Sequence, residues 1–246
     1  ACHGVEGYCG SGVQGALLAD STFHAHAAAA GVAVLYVHAL NPYGFSWMRR
    51  VTHENVDLNR NFHDFSRPLP ANTPYDDLAH LIVPAHWPPA AEVNAAIAAY
   101  ITEHGERAWQ TAVTSGQHDH SEGLFYGGRD PTWSHLTLRK VLREHGRRCA
   151  RMAWIDLHTG LGPSGHGERI FAGVDDAAAV ARARRWWGEV TSIYDGSSTS
   201  ARLTGLMWNS APQECPQAEH TGIALEYGTL PLPQMFDALR AEQWLE

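Results

Sequence analysis

Three short apolar runs, Val32-Ala-Val-Leu-Tyr-Val37, Met152-Ala-Trp-Ile-Asp-Leu157 and Gly222-Ile-Ala-Leu225, are set apart by long stretches with helical patterning. Runs of this length with little alternation between apolar and polar residues are the mark of strands covered on both faces. Strands that take turns with helices close into a mostly parallel or mixed central sheet with helices on both faces, so the sequence predicts an α/β fold. A chain of 246 residues, 44% of them hydrophobic, supports one sizeable core and is short for two, which gives a single domain over 1–246.

The helical stretches are expected at Ser11 to Ala30, where Gly31 stops the pattern, at Pro89 to about Trp109, at Pro131 to about Cys149, at Asp175 to about Val190, and from Pro231 to the end. Arg169 to Ala172 has the composition of a further short strand. Between Asn41 and Pro89 periodicity fails, and Pro68, Pro70, Pro74, Pro84 and Pro88 break the chain. This segment is read as a long loop with a functional role.

Charge narrows the function classes. With 18 Lys and Arg against 26 Asp and Glu the net charge is −8, and no basic run exceeds a pair, so nucleic acid is not an expected partner. No stretch approaches the ~18 consecutive apolar residues of a membrane helix. A soluble, cytoplasmic protein is expected, with no membrane partner. The four cysteines form no Cys-x-x-Cys pair, which argues against a zinc knuckle or a redox dithiol and for reduced thiols, although spacing alone leaves a Cys2–Cys9 disulfide open. Almost nothing precedes His3 to build a strand, so the chain reads as an N-terminally truncated fragment of a longer one.

The chemistry-bearing residues lie far apart. His3 and Glu6, three residues apart, can present both side chains to one side of a helical turn, as a shared metal requires. His158 and Glu226 each close a predicted strand, where active sites of α/β folds collect. A catalytic zinc site takes three nitrogen or oxygen ligands and keeps a fourth position for water. His3, Glu6 and His158 can supply the three, and Glu226 a separate carboxylate base. In a chain with 16 histidines an isolated His-x-x-Glu is weak evidence. Asp57-Leu-Asn-Arg-Asn61 offers a carboxylate, two amides and a guanidinium, either as a clamp for a substrate carboxylate or as a polar turn capping itself. His118 and His120 read as loop histidines or as donors to a second metal.

In order along the chain, His3-Gly-Val-Glu6, Asn41-Pro-Tyr-Gly44, Asp57-Leu-Asn-Arg-Asn-Phe62, a late strand-ending histidine and a later strand-ending glutamate resemble the zinc carboxypeptidase (M14-type) family. His3-Gly-Val-Glu-Gly7 and Asp57-Leu-Asn-Arg60 look closer to its succinylglutamate desuccinylase and aspartoacylase branch. Gly123-Leu-Phe-Tyr-Gly-Gly128, Pro131-Thr-Trp-Ser134 and Asp156-Leu-His-Thr-Gly160 resemble the DUF2817 group. The resemblance implies one zinc ion held by His3, Glu6 and His158, with Asp57 orienting His3. It implies that Arg50, rather than Arg49, polarises the scissile carbonyl, that Asn59 and Arg60 hold a substrate carboxylate, and that Glu226 is the general base. The implied activity is hydrolysis of an amide bond, either a C-terminal peptide bond or that of an N-acyl amino acid. The implied partner is a small-molecule or peptide substrate with a free carboxylate.

One departure limits the likeness. No tyrosine lies between Gly196 and Leu225, where classical carboxypeptidases carry a substrate-binding one, so specificity does not carry over. Two other readings compete. One is a non-catalytic binding protein on the same fold. The other is a nucleotide-binding oxidoreductase built on Gly10-Ser-Gly-Val-Gln-Gly15, a string that lacks the preceding strand and the later acidic residue such a site needs.

Overall fold

The computed structural model describes residues 2–245. Its order is α1 (Gly7–Ala19), α2 (Ser21–Ala29), α3 (Pro42–Trp47), α4 (Thr73–Ile82), α5 (Ala91–His104), α6 (Glu106–Thr114), α7 (Trp133–His145), β1 (Arg151–Gly160), β2 (Gly167–Phe171), α8 (Ala177–Trp187), α9 (Ser210–Glu214), β3 (Glu219–Gly228) and α10 (Leu232–Trp244). Among the described residues the sheet has three strands in the order β1-β3-β2, with β1 parallel and β2 antiparallel to β3. The fold is therefore mixed α/β, as the sequence predicts.

Strand alternation sorts the two faces. On one face Ile223 packs with Ala179 and Ala183 of α8, and Gly10 of α1 lies against Leu157. On the other face Met152 and Trp154 pack against Leu138 and Leu142 of α7. That second face also carries Asp156 and His158 of β1 beside Ala224 and Glu226 of β3, which are direct neighbours in register. Register thus puts the chemistry on one face.

Four expectations need correction. Val32 to Val37 forms no strand, and Val32, Val34 and Leu35 are exposed. The run has the composition of a strand, but a strand needs a neighbour for its backbone hydrogen bonds, and among the described residues none pairs with it. The helix expected from Ser11 to Ala30 is two helices, because the Asp20 carboxylate accepts from Thr22 N at 2.9 Å and Phe23 N at 3.1 Å and restarts the helix as an N-cap. The one expected from Pro89 breaks at Gly105, whose φ of 89° no helix accommodates.

The long loop is the fourth correction, since it contains α3, α4 and a 3-10 turn at Leu58–Arg60. Pro42 and Pro74 open helices, capped by Asn41 on Gly44 N at 2.9 Å and by Asn72 on Tyr75 N at 3.2 Å. Proline lacks the N–H that the first helical turn leaves unused, so it starts helices as readily as it stops them.

Asn61 ties this segment down. Its amide donates to Gly127 O at 2.8 Å and Asp130 O at 3.0 Å, and its side-chain oxygen accepts from Thr132 N at 3.1 Å. His135 lies flat on Phe62, at 4.3 Å between ring centroids, and bonds Asn61 O at 3.0 Å and Arg139 Nε at 2.6 Å. Nδ1 must then donate to the carbonyl while Nε2 accepts from the guanidinium, which requires the neutral ring. Burial and Arg139 push His135 down to about 4. Burial, with His118 adding to it, does the same to His63.

In the unfolded chain both rings take up protons near pH 6.5, whereas the fold resists protonation until about pH 4. Their contribution is thus fully present above pH 6.5 and is lost as pH falls toward 4. Urea denaturation across this range should show falling stability, and a His135→Gln variant a shallower fall. A slope unchanged by the substitution would remove His135 as a cause.

Candidate metal centre and cleft

His3 and Glu6 sit just before α1, and the backbone of Arg49 and Arg50 fixes their place. Gly4 N donates to Arg50 O at 3.3 Å and Val5 N to Arg49 O at 3.2 Å. Gly4 rests directly on Gly44, where a Cβ on Gly4 would stand 1.9 Å from the Gly44 carbonyl carbon. The Asn41-Pro-Tyr-Gly44 string therefore has two physical tasks: Asn41 caps α3, and Gly44 lets the His3–Glu6 segment approach.

Glu6 lies between the two imidazoles. Its Oε1 is 3.0 Å from His3 Nδ1 and its Oε2 is 3.1 Å from His158 Nδ1. Thr159 N donates to Oε2 at 3.0 Å, and Arg50 Nη1 donates to Oε1 at 2.7 Å. The far nitrogen of each ring faces a second carboxylate. His3 Nε2 is 2.8 Å from Asp57 Oδ1, and His158 Nε2 makes an ion-pair contact with Asp156 Oδ2 at 2.9 Å. Histidines that ligate metals commonly have a carboxylate behind them in this way, which fixes the ring.

Cys2, His3 and His158, all buried, can each present a donor atom with the three atoms within 4.8 Å of one another, a cluster able to hold a metal ion. Cys2 Sγ lies 3.9 Å from His158 Nε2. The four cysteines are free, so Cys2 and Cys9 are not bridged. His118 bonds Gly128 O at 2.7 Å and His120 pairs with Asp76 at 2.9 Å, and neither joins the cluster.

The electrostatics of the cluster favour positive charge. Burial and Arg50 act to lower His3, yet Cys2, Asp57 and Glu6 carry it up to about 9. His158 is raised against its burial by Asp156 and Cys2. Glu6 and Asp57, although burial opposes their charge, are held well below the usual carboxylate range, Glu6 mainly by His3 and Asp57 mainly by Arg50. The carboxylates and imidazoles favour one another's charged forms, and a divalent cation among the same donors would satisfy the carboxylates equally well.

Arg50, not Arg49, belongs to this centre. It reaches Glu6 and also Asp57 Oδ2, at 3.0 Å, and these carboxylates raise its pKa despite burial. Arg49 pairs with Glu242 on α10. The Asn59 side-chain oxygen accepts from Met207 N at 2.9 Å, and its amide nitrogen lies 3.5 Å from His158 Nε2. Arg60 is buried and bonded only to backbone carbonyls, those of Thr114 and of Asn59. Among the described residues no carboxylate pairs with it, and burial pushes it down to about 10. Glu226 holds Leu161 N at 3.0 Å, and burial together with Glu6 pushes it up to about 7.

A cleft of about 360 Å³ connects these groups and is lined by His3, Glu6, Arg50, Arg60, His158 and Glu226 among others. All the expected site residues except Asp57 line it directly, and Asp57 stands behind His3. Sequence reasoning missed Asp156 and Cys2. The signal for Asp156 was available: two residues before His158 on a strand, it must point to the same face. The Gly10, Gly12 and Gly15 string lies inside α1, not in a loop ahead of a helix, so it forms no phosphate cradle.

Asp57→Ala and Asp156→Ala should each weaken metal binding by about 10–100-fold through loss of ring orientation. Competition against a chromophoric chelator reads this directly. Unchanged affinity in both variants would show that neither carboxylate serves the metal.

No curated protein and no solved structure matches the chain at a significant level. The family model described as "Protein of unknown function (DUF2817)" matches residues 1–246. With a match over its whole length, the chain belongs to the DUF2817 family.

Proposed function

We propose that this protein is a zinc-dependent hydrolase that cleaves an amide bond whose amine-side fragment carries a free carboxylate. The observation that carries this reading is the placement of Glu6 between His3 and His158, with Glu226 beside His158 in register and open to the same cleft. Two imidazoles and a carboxylate form a common donor set of catalytic zinc. The order of these residues along the chain, together with Asp57, Arg50 and Asn59-Arg60, supports the relation to zinc carboxypeptidases. His3, Glu6 and His158 would hold the ion, with Cys2 adjoining. Zinc bound there supplies Lewis acidity, which lowers the pKa of water and polarises a carbonyl.

The chain's own residues do the rest. Glu226, fixed by Leu161 N, accepts a proton from the attacking water and returns it to the leaving nitrogen. Arg50, anchored by Glu6 and Asp57, directs a hydrogen-bond donor to the reacting carbonyl oxygen. Arg60 supplies the anion site. A buried guanidinium whose partners are all neutral carbonyls still lacks a counter-ion, and two of its five N–H groups remain for a substrate carboxylate.

Glu226→Gln should retain zinc and lose turnover by roughly 10²-fold or more, whereas His3→Ala should lose both. Metal content and hydrolysis of N-acyl amino acids and short peptides distinguish the cases. Full activity in the glutamine variant refutes the base, and zinc binding without hydrolysis of any such compound favours a binding protein on this fold.

A further inference from the structure

The cleft is walled by two separate apolar clusters, which lie on either side of Glu226. Strand β3 sets this division. Ala224 and Gly228 share the face of Glu226, each about 7 Å along the strand from it. Beside Ala224 stand Ile170, Ile193, Leu203, Leu206 and Trp208. Beyond Gly228 the chain runs through Leu230 into α10, where Met235, Ala238 and Leu239 line the cleft together with Met48.

An arginine enters from each arm, and the two guanidinium groups meet over Phe125. Arg60 belongs to the first, because its backbone packs on Gly205, between Leu203 and Leu206, so closely that a Cβ there would stand 2.4 Å from Arg60 O. Arg50 belongs to the second, because its backbone N–H reaches Glu242 on α10 at 3.4 Å. An amide whose carboxylate faces Arg60 therefore places its amine side in the first arm and its acyl side in the second.

The second arm offers a peptide little. Glu242 Oε1 is engaged by Arg49 and the Arg50 backbone, leaving Oε2 as a buried acceptor, and Thr229 Oγ1 is bonded to Gly160 O at 2.9 Å. A peptide strand laid there would give up water around several N–H and C=O groups and recover little beyond the Glu242 Oε2 acceptor. A hydrocarbon chain loses nothing and gains burial. Met48 is 63% and Leu230 47% exposed at the mouth, large apolar side chains of the kind that mark a ligand groove.

Resting on the hydrolase reading above, we propose that the substrate is an N-acyl amino acid with a medium or long aliphatic acyl chain seated against α10 and Met48, and with an apolar amino-acid side chain seated against Ile170, Ile193 and Leu203. Hydrolysis adds water across the amide, releasing a fatty carboxylate and a free amino acid.

The test compares acetyl-, hexanoyl- and decanoyl-phenylalanine with the tripeptide Ala-Ala-Phe. Turnover is measured on the zinc-loaded protein, and affinity on its Glu226→Gln variant. Affinity should rise about fourfold per methylene until the arm fills, reaching roughly 100-fold from acetyl to decanoyl, with the tripeptide weaker than the hexanoyl compound. Leu239→Ser, or the milder Met235→Ser should the first not fold, should flatten that dependence on chain length. Affinity independent of chain length, tightest binding by the tripeptide, or no binding by any compound overturns the proposal. Chain-length-dependent binding without turnover leaves the acyl arm standing and removes the hydrolase reading. Turnover of every compound alike does the reverse.

Discussion

The Glu6 carboxylate gathers four partners from three parts of the chain: His3 from its own turn, Arg50 from the segment after α3, and His158 with the Thr159 backbone from the end of β1. Buried to 8% exposure, it has little water to fall back on if any of these moves. Removing one partner from a buried charge pair costs about 3–5 kcal/mol, because the charge left behind has no compensation. The position of the N-terminal turn relative to the sheet is thereby fixed by electrostatics more than by the apolar contacts of α1, which buries only Gly7 and Gly10.

The same centre explains why the sheet, although small among the described residues, is strictly registered. His158 opposite Glu226 and Asp156 opposite Ala224 follow from one parallel pairing of β1 with β3. A slip by one residue would turn all of these side chains to the other face. β2 closes the pattern by putting Glu168 opposite Glu226, where the Glu168 carboxylate is used up by Thr191 and Thr199. One carboxylate of that neighbouring pair holds the loop behind the cleft, and the other is left facing it.

Local chemistry decided what the sequence could tell. His158 and Glu226 were readable because each ends an apolar run, and Asp57 because it sits in a dense polar string. Asn61, in the same string, looked like part of a clamp and is instead a strut between backbone carbonyls and Thr132, a role that depends on partners 66 to 71 residues away. Val32 to Val37 shows the opposite failure. Composition reports what a segment suits, whereas a strand exists only where another strand lies alongside it. Pro42 and Pro74 were misjudged because a proline at the first turn of a helix and one that breaks a helix look alike until the asparagine before it is seen to cap.

Arg50 and Arg60 carry the same charge in one cleft and stack on the same ring, Phe125, at 4.9 and 5.2 Å, yet their surroundings divide their work. Arg50 is neutralised by Glu6 and Asp57, so it adds directed hydrogen bonds without adding net charge. Arg60 is fixed by carbonyl dipoles that orient it and leave its charge uncancelled. Arg60 therefore keeps its charge for the negative end of a ligand, whereas a ligand reversed in the cleft brings its carboxylate toward Glu226. Orientation in such a cleft is set before any pocket is filled, since like charges brought together in a low-dielectric site cost more than an apolar contact returns.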